Sequence, residues 1–95
     1  MRFEWDEKKS RENLRKHRIR FETDVLVFED SHAVTHRDPI HDEEEERYIT
    51  LGTIGAGAVL FVVHTWRDTG AEEVTRIISA RRASARERKT YEKTH

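Results

Sequence analysis

"ERYITLGTIGAGAVLFVVHTWRDTGAEEVTRIISAR", residues 46–81, is the stretch on which the fold turns. Its first part, "ERYITLGT", alternates. Tyr48 and Thr50 fall on one side of an extended chain, and Ile49 and Leu51 on the other. "GAG" follows, and glycine turns a chain tightly without steric cost. "AVLFVVHTW" is apolar on both sides, which suits a central strand covered on both faces. "RDTGAEE" turns the chain again and "VTRIISAR" returns it. Strands joined in order by short turns predict an antiparallel β-meander. Strict alternation on the returning strand would put Ile77, Ser79 and Arg81 on one side and Arg76, Ile78 and Ala80 on the other.

Toward the N-terminus, "MRFEW" alternates with Phe3 and Trp5 on one side, a short strand. Asp6 is an N-cap for a helix through "EKKSRENLRKH", whose one large apolar residue, Leu14, implies a surface helix. In "FETDVLVFED", Phe21, Val25 and Phe28 recur at spacings of four and three, so a short helix is expected there, although the valines suit a strand too. "SHAVTH" reads as a short strand. "RDPIHDEEEE" reads as a loop, because Pro39 breaks a ladder and the acids repel one another. Toward the C-terminus, "SARE" forms a capping box with Ser84 as N-cap and Glu87 at N3, opening a helix to about Lys93. That helix has only Ala85 and Tyr91 as apolar candidates. It should be the least stable element, anchored through Tyr91 or by a partner. The expected architecture is α/β of the α+β kind: N-terminal helices, an antiparallel meander and a C-terminal helix.

The chain has 95 residues, a length suited to one domain spanning 1–95. It has no cysteine, which excludes disulfide and thiolate chemistry. "MRFEWDEKK" lacks the apolar core of a signal peptide, and "AVLFVV" is too short to span a bilayer, so a cytoplasmic protein without membrane attachment is expected. The net charge of -1 conceals segregation: residues 1–20 carry +4, 21–46 carry -9, 47–74 carry -1 and 75–95 carry +5. Basic ends around an acidic middle suggest an anion-binding face, or segments that neutralise one another.

"RIISARRASARERK" concentrates the positive charge. Arg81, Arg82, Arg86, Arg88 and Lys89 outnumber the acids near them. A guanidinium cannot be neutralised by losing its proton, and it grips phosphate through paired hydrogen bonds. Singly, Arg47, Arg76 and Arg81 could pair with "DEEEE" or with Glu72 and Glu73, and such surface pairs contribute ~0–1 kcal/mol each. His64, among valines, reads either as a core histidine or as a general acid or base. His32, His36 and His41, with Asp38 and Asp42, could suggest a metal cluster, but their spacing and Pro39 favour a loop, and no metal site or cofactor is expected.

Taken together, "FEWDEKK", "ENLRKH", "EERYITLG", "VVHTWR" and "RIISARRAS" resemble the BrnT family of bacterial toxins over nearly the whole chain and in the same order. The resemblance implies a RelE-like fold and a type II toxin–antitoxin system. The toxin would be a ribonuclease that cuts RNA without metal and stops translation. Its partner would be a BrnA-like ribbon-helix-helix antitoxin, through which the complex binds operator DNA. The family's basic strand-end residues fall on Arg67, Arg76, Arg81 and Arg82, with Arg47 and Tyr48 in "ERYI".

Metal-free cleavage uses the 2′-hydroxyl of RNA as nucleophile. It needs a proton acceptor, a partner for the extra negative charge and a proton for the leaving oxygen. The expected phosphate-holding groups are Arg67 and Arg81. His64 is the expected base or acid, with Tyr91 as a second candidate. Trp66 or Tyr48 could stack on a base, and Arg47, Arg76, Arg82 and Arg86 could bind RNA. The guanidinium groups, Arg67 and Arg81 above all, are expected to converge at one rim of the meander, where they can receive a phosphodiester. The alternatives are a non-catalytic module whose basic C-terminal face binds nucleic acid or protein, and, less favoured, an acidic nucleic-acid mimic acting through "DEEEE".

Overall fold

A computed structural model of the chain describes residues 1–39, 45–55 and 57–93. The elements run β1 (Arg2–Trp5), α1 (Glu7–His17), α2 (Phe21–Asp24) continuing into a 3₁₀ segment (Val25–Glu29), β2 (Val34–Asp38), β3 (Arg47–Thr53), β4 (Val59–Asp68), β5 (Glu73–Arg82) and α3 (Ala85–Lys93). The loop expected across residues 37–46 starts later than its sequence suggests: Arg37 and Asp38 belong to β2, paired with Tyr48 and Arg47, and residues 40–44 lie outside those described.

β2, β3, β4 and β5 form the expected antiparallel meander. The sheet order is β1-β5-β4-β3-β2, with β1 added parallel to β5. The sheet is therefore mixed. The parallel pairing joins residues about seventy positions apart, which local alternation does not reveal.

α1 begins as its sequence dictates: the Asp6 carboxylate accepts from the N–H groups of Lys8 at 2.8 Å and Lys9 at 3.2 Å. It ends with Arg18 in the left-handed region, at φ 60°. The helix turns its buried Ser10 and Asn13 toward the protein. Asn13 donates to the Ile19 carbonyl and accepts from the Ala80 N–H at 3.1 Å, which ties α1 to β5.

One face of the sheet carries the main core. Ile19, Phe21, Val27, Leu60, Val62, Ile77 and Ala80 are buried together, with Phe3, Trp5, Val25 and Phe28 packed against them. The 3₁₀ segment lies so close to β3 that a Cβ on Gly52 would sit 2.7 Å from Val27 Cγ1. On the other face α3 covers a smaller cluster of Leu51, Val59 and Tyr91, flanked by Val34, Phe61 and Ala83. α3 is clipped at both ends. Ser84 and Glu87 form the capping box, and the Tyr91 hydroxyl donates to Asp30 Oδ2 at 2.6 Å.

The strict alternation expected on β5 is corrected. The register slips between Val63 and His64, whose partners are Ser79 and Ile77, so Ile78 is the extra residue of a β-bulge. The bulge puts Ile77 on the same side as Ala80, in the main core, and leaves Ser79 and Arg81 facing the α3 side. No helix among the described residues is long and apolar enough to cross a membrane.

Candidate functional site

Register and core contacts divide the expected site residues between the two faces. Val62, His64 and Trp66 alternate onto the main-core side. Phe61, Arg67, Arg76 and Arg81 lie on the side that carries α3.

On the α3 side, Arg67 and Arg81 stand apart. Arg81 is in register with Phe61, and Arg67 lies six residues further along β4, roughly 20 Å away. Each has its own carboxylate. Arg81 makes a two-pronged contact with Glu87, at 2.8 and 2.9 Å, and its guanidinium lies 3.9 Å from the centre of the Phe61 ring. Arg67 Nη1 donates to Glu4 Oε1 at 2.7 Å. The expectation that the guanidinium groups of Arg67 and Arg81 converge is therefore corrected, and His64 and Tyr91 do not join either of them. Arg67 and Arg81 hold opposite ends of one face, His64 belongs to the other face, and the Tyr91 hydroxyl is engaged by Asp30.

What the sheet does bring together is a group of arginines around Glu4. Besides Arg67, Arg76 Nη1 lies 3.6 Å and Arg2 Nη2 3.8 Å from the Glu4 carboxylate. Arg2 is shared with Glu72 at 3.3 Å, and the charges of Glu45 and Glu72 act on Arg67 more weakly than Glu4 does. Glu4 is largely covered, at 27% side-chain exposure, while the three arginines stay between 41% and 54% exposed. The hydrogen bond from Arg67 holds the Glu4 carboxyl below its usual range; partial burial opposes this, and the charges of Arg67, Arg76 and Arg2 add to it. Glu4 joins this candidate site without having been expected there. The alternation of "MRFEW" hinted at it, because Phe3 and Trp5 go inward and Glu4 must face away. Only the parallel pairing of Glu4 with Arg76 puts it among the arginines.

A recess on the same face, about 420 Å³, is lined by Asp38, Arg47, Ile49, Phe61, Val63, Ser79 and Arg81. Arg82 and Arg86 are exposed beyond it.

On the main-core side His64 is 5% exposed. Its Nε2 shares a 2.8 Å hydrogen bond with Thr50 Oγ1, and Thr50 shares another of 2.7 Å with Thr35 Oγ1. Nδ1 has no hydrogen-bond partner among the described residues. Burial pushes the His64 pKa down to about 4, with the Thr65 backbone pulling weakly the other way, so the ring is neutral at ordinary pH. Phe28 meets the ring edge-on at 4.9 Å and Tyr48 stacks at 6.0 Å. The described residues contain no group of three or more His, Asp or Glu able to hold a metal; His41 and Asp42 lie outside them.

A meander with one helix on its α3 side and an arginine-rich face matches known proteins. The model of the family described as "Ribonuclease toxin, BrnT, of type II toxin-antitoxin system" matches residues 5–87. The chain belongs to the BrnT family. It is thus a ribonuclease toxin of a type II toxin–antitoxin system, with RNA as substrate and an antitoxin as partner. The fold agrees with that of the BrnT ribonuclease toxin of Brucella abortus, at a TM-score of 0.61 and 23% identity, covering 88% of this chain and 97% of that one. No curated protein sequence matches the chain.

Proposed function

We propose that this toxin cuts RNA on the α3-bearing face of its sheet, without metal, around Glu4, Arg67 and Arg76. The observation that carries this reading is the crowding of three guanidinium groups on one carboxylate, on a face open to solvent. An RNA phosphate can take the place of Glu4 as partner to Arg67 and Arg76, and each guanidinium can offer it two parallel hydrogen bonds. Arg81 offers less, because Glu87 already neutralises it one to one.

Glu4 is ionised at neutral pH and can accept a proton. When a phosphodiester draws Arg67 and Arg76 toward itself, the groups that hold the Glu4 proton affinity down are diverted, and the carboxylate becomes a better base. The 2′-hydroxyl gives its proton to Glu4 while its oxygen attacks phosphorus. The bond to the 5′ oxygen breaks, a 2′,3′-cyclic phosphate forms, and the leaving oxygen takes a proton from solvent. Arg67 and Arg76 face the charge that grows on the phosphoryl oxygens. Glu4 thus takes the proton-transfer role expected of His64 and Tyr91. Arg47 and Arg81, farther along the face, would hold the strand on one side of the cut.

The exposed Arg82, Arg86, Arg88 and Lys89 around the start of α3 suit an acidic segment of the antitoxin. In this reading the antitoxin is a BrnA-like ribbon-helix-helix protein that carries the complex to operator DNA, and the toxin acts in the cytoplasm as one domain. The test is cleavage of RNA by the purified toxin in EDTA. Cleavage should persist for the parent chain and fall at least 100-fold for Glu4→Gln, with RNA binding retained. Full activity of Glu4→Gln would remove the proposed base, and binding without cleavage by the parent chain would favour the non-catalytic module.

A further inference from the structure

The main-core face is not fully covered by α1, α2 and the 3₁₀ segment. A recess of about 320 Å³ remains, with Met1, Phe28, Tyr48, His64, Trp66 and Thr75 among its lining residues. The ribonuclease chemistry proposed above uses none of these residues. Two features set the recess apart from ordinary surface. The first is His64, whose ring lines it and is 95% buried yet has an Nδ1 without a hydrogen-bond partner among the described residues. A buried polar nitrogen left unpaired costs ~1–3 kcal/mol, so something should compensate for it. The second is Trp66, 45% exposed among the few large apolar side chains that reach solvent. An exposed aromatic beside a buried histidine and a tyrosine forms flat walls with one polar atom behind them.

The position narrows the choice of occupant. Trp66 and Arg67 are consecutive in β4, and Met1 and Arg2 are consecutive at β1, so each pair sends one side chain to the recess and the next to the Glu4 cluster. The recess and the proposed cleavage site therefore lie back to back at the same end of the sheet. An RNA strand that passes around the β4–β5 turn could leave a phosphate at Arg67 and a base of a neighbouring nucleotide at the recess.

We infer that the recess between Trp66, Tyr48 and His64 receives one unstacked nucleobase of the RNA substrate and so contributes to the choice of cleavage site. The base stacks against Trp66, and a small shift of the His64 ring gives Nδ1 a partner on the edge of the base. Thr50 and Thr35 keep the opposite ring nitrogen occupied, which fixes the ring's orientation. Neutral at ordinary pH, the ring can present Nδ1 as donor or acceptor without the cost of burying a charge. The inference rests on the proposed function for its phosphate anchor at Arg67.

The test is tryptophan fluorescence of the full chain titrated with the four ribonucleoside 5′-monophosphates, with ribose 5-phosphate as a probe that lacks a base. At least one nucleotide should change the emission saturably, ribose 5-phosphate should not, and Trp66→Phe should remove most of the change, leaving the background of Trp5. Trp66→Ala, at an exposed position, should weaken nucleotide binding about tenfold or more and redistribute the cuts made in a long RNA, with the melting temperature unchanged. His64→Phe, which keeps a ring but no nitrogen, should reduce the differences among the four bases. The inference is overturned if nucleotides and ribose 5-phosphate act alike, or if Trp66→Ala cuts at the same positions as the parent. It is likewise overturned if only the cognate antitoxin changes the emission, which would give the recess to a protein. Glu4→Gln separates the two readings. A nucleotide response that persists in this variant supports the recess whether or not the variant still cleaves, whereas Glu4-dependent cleavage with no nucleotide response removes the recess and leaves the cleavage site standing.

Discussion

Arg67 and Arg81 share one face of the sheet and stand roughly 20 Å apart along it, each holding a different carboxylate. One phosphate cannot touch both. Arg67 belongs to a cluster in which arginines outnumber their shared carboxylate, and Arg81 belongs to a closed pair that also organises a helix.

Arg67→Ala and Arg76→Ala should each lower RNA cleavage ~100–1,000-fold, the usual cost of removing one donor from a developing negative charge. Arg81→Ala should lower it much less. Rates measured on a defined RNA in EDTA, with circular dichroism as the control for folding, decide this. Equal losses for all three variants would contradict a cleavage site centred on Glu4.

α3 should be the acid-labile element. Glu87 is held down to about 2 by its hydrogen bond to Arg81; partial burial opposes this and the bonds with Ser84 reinforce it. Burial pushes the Asp30 carboxyl up, but the hydrogen bonds from Tyr91, Thr53 and His32 outweigh it and hold the group at about 2. Both folded pKa values lie below their ordinary ones, so the stabilisation is complete above about pH 4.5 and is lost as pH falls toward 2. Hydrogen exchange should show α3 opening before the sheet over that range. Tyr91→Phe, which removes the hydrogen bond to Asp30, should cost about 1–2 kcal/mol and move the opening to higher pH.

Asp24 works in the opposite direction. It is fully buried, and neither carboxylate oxygen has a hydrogen-bond partner among the described residues. Burial raises its pKa to about 7, and the charge of Glu22 adds to the effect. The folded value exceeds the unfolded one, so this group lowers stability as pH rises from about 4 through 7, and the full penalty is present above 7. Asp24→Asn should therefore stabilise the chain at pH 8, on the order of 2 kcal/mol, and have much less effect at pH 4. Urea unfolding at the two pH values measures the difference. An equal effect at both would show that Asp24 is not ionising as described.

Gly52→Ala should destabilise the fold by about 1–3 kcal/mol, because the added Cβ meets the Val27 side chain at 2.7 Å and the Val27 carbonyl oxygen at 3.1 Å. Thermal unfolding of Gly52→Ala alone and with Val27→Ala tests the cause. The second change should recover part of the loss if the contact is responsible.

The sequence alone determined what depends on neighbours along the chain. Alternation around Tyr48–Leu51 and the apolar run at Val59–Val63 specified the meander. Asp6 specified the start of α1, and Ser84 with Glu87 the start of α3, because a cap satisfies backbone donors within three residues. The order of these pieces carried the family resemblance. Tertiary structure alone decided what depends on register between distant strands. The bulge at Ile78 reversed the faces along β5, and the parallel docking of β1 placed Glu4 beside Arg76. His64 faces Phe28 because it alternates with Leu60 and Val62, which the packing of the sheet turns into the main core; the slip on β5 then brings Ile77 beside it. A strand's alternation says which residues share a face, but the packing of the whole sheet chooses which face that is, and one inserted residue exchanges the two.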